Sequence, residues 1–148
     1  MKIGFTGTQK GLTVDQYSTF IQLLKWYDEI LYITEFHHGD CIGADEEAHN
    51  LVHRLMDDTI IIVHPPINGS KRAFCKGDET RKQKDYLDRN HDIVDETELL
   101  IACPKESEEV LRSGTWSTIR YARKMKKKLR IILPNGRMIG DEISGLVE

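Results

Sequence analysis

Hydrophobic positions along this chain follow two alternating rhythms. Short apolar or alternating runs at 2–6, 32–38, 59–63, 98–103 and 129–133 read as strands. The run opening at Thr59 is β-branched and unbroken, as expected of a strand buried on both faces. Between the strands the spacing turns helical. Tyr17, Phe20, Ile21, Leu24, Tyr27 and Leu31 predict a helix over about 14–30, opened by a Thr13/Gln16 capping box. Ala48, Leu51, Val52 and Leu55 mark a second helix. Tyr86, Leu87, Ile93 and Val94 are the expected inward positions of a short third helix over about 85–96. Trp116, Ile119, Ala122 and Met125 place a fourth over about 115–127. Residues 67–84 show no period and read as a long loop over the ligand side, placed to act as a lid. Asn135-Gly136-Arg137 is a turn signal, and 138–148 is expected to add a short edge strand or fray.

Strands alternating with helices predict an α/β fold: a mostly parallel sheet of about five strands with helices on both faces. Ligands of such sheets sit beyond the carboxyl ends of the strands, where the strand order reverses. The turns after the first, second and fourth strands fall at that edge, and all are rich in Gly, Thr, Ser and Asp.

Composition narrows the class. The 148 residues fit one domain, 1–148, without repeat or linker. No apolar run approaches the ~20 residues that span a bilayer, and Met1-Lys2-Ile3-Gly4-Phe5 enters a strand at once, so neither a membrane partner nor a signal peptide is expected. Cys41, Cys75 and Cys103 are odd in number and widely spaced, which fits a reducing, cytoplasmic location. The net charge of −3 argues against a dedicated nucleic-acid binder. Charge is uneven, however: 120–130 carries seven bases and no acid, a phosphate-facing surface or the solvated face of a helix.

Three turns carry the candidate chemistry. Ser113-Gly114-Thr115, with Thr118 a turn later, opens the fourth helix, whose free N–H groups attract an anion; the alternative is that Ser113 only caps it. Gly7 and Thr8 could place amides and a hydroxyl against a phosphate, or make a tight turn. In Gly39-Asp40-x-x-Gly43-Ala44-Asp45, Asp40 is the candidate partner of a ribose hydroxyl and Asp45 a structural cap. Arg89 and Asn90 could reach a phosphate or base edge, or form a surface pair. The six histidines show no metal-ligand spacing, so no metal and no cofactor are expected, and His49 reads as a packing residue.

Two segments resemble the SLOG superfamily, which joins DNA-processing protein A and Lonely Guy nucleotide-binding domains. Residues 38–49, from His38-Gly39-Asp40 to His49, are similar to its Gly-x-x-x-Gly-Ala/Ile-Asp-x-x-Ala-His stretch, and 113–122 to its Ser-Gly-Thr-x-x-Thr-x-x-x-Ala helix start. Gly4-Phe5-Thr6-Gly7-Thr8 and Arg89-Asn90 match other family positions. The resemblance implies a Rossmann-like three-layer sheet that binds a nucleotide or a nucleotide-derived ligand. The family's phosphoribohydrolases carry Pro-Gly-Gly-x-Gly-Thr-x-x-Glu with a catalytic Glu. Here Arg112-Ser113 replaces the Gly-Gly pair, and Thr118 stands at the Glu position. Three functions follow as expectations. The first is binding, as a sensor, of a small phosphorylated nucleotide. The second is hydrolysis or transfer at a nucleotide N-glycosidic bond, with Asp40 as the tentative catalytic carboxylate. The third is single-stranded nucleic-acid binding through 120–130 with Lys71, Arg72, Lys76 and Arg81. Trp26 and Trp116 competing for room inside leaves a homo-oligomer possible.

Overall fold

A computed structural model describes residues 1–140. In chain order the elements are β1 (Lys2–Gly7), α1 (Val14–Leu31), β2 (Glu35–His38), α2 (Ala44–Leu55), β3 (Ile60–Val63), a 3-10 turn (Gly69–Lys71), β4 (Glu79–Thr80), α3 (Tyr86–Asp95), β5 (Leu99–Cys103), α4 (Gly114–Lys124), β6 (Lys128–Ile132) and β7 (Met138–Ile139). The sheet runs β4-β3-β2-β1-β5-β6-β7, all parallel except β7 against β6. The chain therefore winds outward from β1 to one edge, returns, and winds from β5 to the other. The switch point lies between β1 and β5, where Gly7 pairs with Cys103 and the Thr8 amide donates to the Cys103 carbonyl at 3.1 Å.

Side-chain alternation on the strands builds two cores. On one face Leu99, Ile101 and Cys103 of β5 pack with Ile3, Phe5 and Phe36 under α1 and α2. On the other, Leu100 and Ala102 of β5 pack with Leu129 and Ile131 under α3 and α4. This is the three-layer α/β arrangement. The Thr13/Gln16 capping box forms at the start of α1.

The departures from the sequence expectations have local causes. Beyond the five expected strands the structure has two edge strands of two residues each: β7, where a short edge strand was one expected outcome, and β4, which is too short to show an alternation. The latter lies within 67–84. The second strand starts at Glu35, not 32, because α1 continues to Leu31 and Tyr32 closes it at φ 56°. Leu87, expected inward, is exposed, while Ile93 and Val94 are buried as expected. α4 stops at Lys124 because Lys126 takes φ 57° and turns the chain into β6. Trp116 is buried and Trp26 half-exposed. Residues 141–148 of the expected edge strand or frayed end lie outside the described residues.

Candidate functional site

A cavity of about 450 Å³ opens at the carboxyl ends of the strands beside the switch point. Its wall combines the turn after β1 (Gly7 and Thr8), the turn after β2 (Gly39 and Cys41), the segment after β5 (Lys105 and Glu106), and the start of α4 (Ser113 to Thr115), with Arg89 and Asn90 of α3 beneath. The three glycine-bearing turns thus meet at one place. Lys10, Arg89, Lys105 and Arg112 bring four basic side chains to the wall, against the two acids Asp45 and Glu106. That balance favours an anion.

Helix α4 presents its N-terminus to this cavity. Ser113 is the N-cap, its Oγ accepting from the Trp116 amide at 3.1 Å. No acidic residue lies in the first turn to occupy the positive end of the helix. A methyl group added at Gly114 would meet nothing within 4 Å, so the fold does not require glycine there. At Gly7 and Gly39, by contrast, packing requires glycine. A Cβ on Gly7 would lie 2.5 Å from the Ala44 Cβ, and one on Gly39 would lie 2.5 Å from an Arg89 guanidinium nitrogen. Gly43 lies away from the wall, at φ +98° against the Gln9 backbone.

Arg89 lines the cavity, but its donors are engaged by the protein. Nε donates to Asn90 Oδ1 at 2.7 Å, one terminal nitrogen donates to the carbonyls of Gly39 and His64, and the other approaches Cys41 Sγ at 3.7 Å. It is 4% exposed and also lies over the Tyr86 ring. Arg89 thus clamps the β2 turn to β3 and α3 and supplies the cavity floor with positive charge. Asn90 is its hydrogen-bond partner.

Asp40 of the β2–α2 turn and Asp45 of the first turn of α2 have different surroundings. The Asp40 carboxylate is fully buried and turned away from the cavity, accepting from Arg72 Nε at 2.6 Å and from the Cys75 amide at 2.9 Å. It anchors residues 71–75, with further main-chain bonds between Ile42 and Lys71 and between Ala73 and Asp40. Asp45 lines the wall instead. Its Oδ2 accepts from the Cys41 amide at 3.2 Å, while its buried Oδ1 has no partner among the described residues. Burial pushes its carboxyl up to about 6, against the opposing pull of the Arg89 charge. Glu106 Oε1 is the other buried, unpartnered oxygen of this wall. Burial also raises the Cys41 thiol, which keeps it in its un-ionised, weakly nucleophilic form.

Of the residues singled out in the sequence, Gly7, Thr8, Gly39, Arg89, Asn90, Ser113, Gly114 and Thr115 line the cavity; Asp40, Gly43 and Thr118 do not. The Thr118 hydroxyl donates back to the Gly114 carbonyl at 3.0 Å within the helix. None of residues 67–84 lines the cavity, since Asp40 ties that loop to the far side of the turn. Sequence reasoning missed Lys105 and Glu106, although their place just past the end of β5 was a usable signal. It also singled out Asp40, whereas Asp45 is the aspartate that lines the wall. The basic stretch divides: Arg120 pairs with Glu109 at 2.9 Å, and Arg130 is buried on β6.

The fold and this cavity define an α/β protein with a pocket at the switch point of a doubly wound sheet. Among solved structures it resembles the molybdenum cofactor binding protein from the phototrophic bacterium Rippkaea orientalis, with a TM-score of 0.66 and 19% identity over 89% of this chain and 76% of that one. At that identity the likeness carries the fold alone. No protein-family model matches the sequence, and no curated protein matches it. No helix among the described residues is long and apolar enough to cross a membrane.

Proposed function

We propose that the protein binds a small phosphorylated nucleotide, or a ligand derived from one, in this cavity. One observation carries the reading. A helix N-terminus with no acid in its first turn and four cationic side chains line one cavity of about 450 Å³, whose wall also includes Asp45, a residue with a buried carboxylate oxygen lacking a partner. The amides at the start of α4 and the hydroxyls of Ser113, Thr115 and Thr8 take the phosphate, with Lys105 and Arg112 adding charge. Asp45 Oδ1 accepts from a sugar hydroxyl, the role first expected of Asp40. The resemblance of 38–49 and 113–122 to the SLOG superfamily supports the same ligand class.

Cleavage of an N-glycosidic bond would need a carboxylate beside the sugar. Asp45 and Glu106 are the acids positioned for that, and Asp40 is not. Nucleic-acid binding is the weaker reading, because Arg72 pairs with Asp40 and Arg81 with Glu96.

A thermal-shift screen tests the proposal with nucleoside monophosphates, cyclic nucleotides, ADP-ribose and inorganic phosphate. A ligand at a hundred times its Kd stabilises the native state by about 2.7 kcal/mol and raises Tm by several degrees. Gly114→Leu fills the open space at the helix start and is expected to abolish the shift without unfolding the chain, whereas Gly114→Ala keeps it. Free base in the incubation would move the reading from binding to hydrolysis. The neighbour's ligand, the molybdenum cofactor, belongs in the same screen, and a shift with that cofactor alone would overturn the nucleotide reading. So would a flat response to every nucleotide.

A further inference from the structure

We propose that His37 Nδ1, His64 Nε2 and Glu96 Oε1 form a binding site for a divalent transition metal, Zn²⁺ by its ligand set, between β2, the end of β3 and the end of α3. The site is separate from the cavity. Consecutive residues of β2 point to opposite faces, so His37 and His38 each meet a second histidine on their own side. His37 meets His64 on the α3 face, and His38 meets His49 of α2 on the other.

On the α3 face the three ligand atoms lie 2.8, 3.8 and 3.9 Å from one another. A point equidistant from atoms so spaced lies about 2.1 Å from each, which is the bond length of Zn²⁺ to imidazole nitrogen and carboxylate oxygen. The surroundings fit as well. His37 Nε2 bonds Glu35 Oε1 at 2.8 Å. A carboxylate can only accept, so the His37 proton sits on Nε2 and Nδ1 is left as a bare lone pair. This is the carboxylate–histidine arrangement that orients metal ligands. His64 Nε2 then donates to His37 Nδ1. No partner occupies His64 Nδ1 among the described residues, so that proton can move there and free Nε2 for the metal. Both rings are buried, and Glu96, partly exposed, opens the way in. Arg81 reaches Glu96 Oε1 at 2.8 Å but also contacts Glu79, so it keeps a carboxylate partner when Glu96 turns to the ion.

The second cluster, His38, His49 and Cys75, has similar spacing but the wrong protons. The Asp40 amide donates to His38 Nδ1 at 3.0 Å, which fixes the His38 proton on Nε2, the atom that would ligate. Burial and the Asp40 carboxylate raise the Cys75 thiol, so a metal there would first have to displace its proton. A metal on the α3 face would pin β2, β3 and α3 together. The His64 carbonyl also accepts from Arg89 at 3.1 Å, so the same ion would brace the cavity floor.

The test uses the whole chain, stripped with EDTA and titrated with ZnCl2 against a chromophoric indicator. We expect one tightly held Zn²⁺ per chain and a rise in Tm. Glu96→Gln should weaken binding by more than about tenfold, and Glu35→Ala, which takes the hydrogen-bond acceptor away from His37 Nε2, by roughly tenfold. Cys75→Ala and His53→Gln should leave the affinity unchanged. Absence of zinc binding, uptake that survives Glu96→Gln, or loss in Cys75→Ala would each overturn the proposal. Should Glu96→Gln fail to fold, Co²⁺ bound to the unmodified chain decides: d–d bands without thiolate charge transfer support the site, and a charge-transfer band or no cobalt spectrum sinks it.

Discussion

Asp40 and Asp45 stand five positions apart, one between β2 and α2 and one in the first turn of α2, both buried, yet the fold treats them differently. Asp40 has every polar atom occupied: Arg72 and the Cys75 amide on its carboxylate, Ala73 on its carbonyl, and His38 on its amide. Asp45 has one carboxylate oxygen on the Cys41 amide and the other on nothing. Burial alone does not distinguish a structural carboxylate from one kept for a ligand; what distinguishes them is whether the protein itself completes the hydrogen bonds. A buried oxygen without a partner costs about 1–3 kcal/mol, and Asp45, which carries one, is the aspartate that lines the cavity.

The contrast can be broken most forcefully at Asp40. Removing one partner of a buried ion pair costs about 3–5 kcal/mol. Asp40→Ala should lose an amount of that order in urea denaturation and loosen residues 71–75 to proteolysis. A loss under about 1 kcal/mol would mean the Arg72 contact contributes little.

Next in size is the pH response of Asp45. Its folded value of about 6 lies above the ordinary 3.8, so the native state binds the extra proton. Stability from this group is therefore complete below about pH 4 and is lost as pH rises through 6. With roughly 1.4 kcal/mol for each unit, Asp45→Asn should gain on the wild type across that window, by up to about 3 kcal/mol. His64 works in the opposite direction, since burial lowers it to about 3 and the native state loses stability as acid forces it to charge. Only the difference between wild type and variant isolates Asp45. Parallel pH profiles would show that its carboxyl is not desolvated.

The fold was legible because its signals are local: period two, period 3.6, and a capping box that forms as written at Thr13 and Gln16. The meeting of three turns at one edge was legible too, since it follows from topology. What stayed hidden depends on contacts between distant residues. Nothing near Asp40 announces that Arg72 will claim it, because that pairing spans 32 positions. Arg89 likewise looked free until the carbonyls of Gly39 and His64 took its donors. The histidine pair escaped a search for metal spacing because its members come from different strands and Glu96 from a helix end. Spacing rules see only ligands that share an element.

Ser113 lies between the two aspartates in kind, and the smallest prediction concerns it. Its oxygen caps α4 through the Trp116 amide, while its O–H finds no acceptor among the described residues. Replacing a serine cap by alanine costs about 1 kcal/mol, by glycine only a few tenths. Ser113→Gly should therefore restore most of the stability that Ser113→Ala loses in the absence of ligand. If the hydroxyl serves the helix alone, nucleotide affinity returns with the stability. If the free O–H donates to a phosphate, as the cavity reading requires, both variants bind more weakly than wild type by a similar factor, whichever of them is the more stable. Titration of both variants alongside their denaturation curves separates capping from recognition, which Asp40 and Asp45 divide between them and Ser113 combines in one side chain.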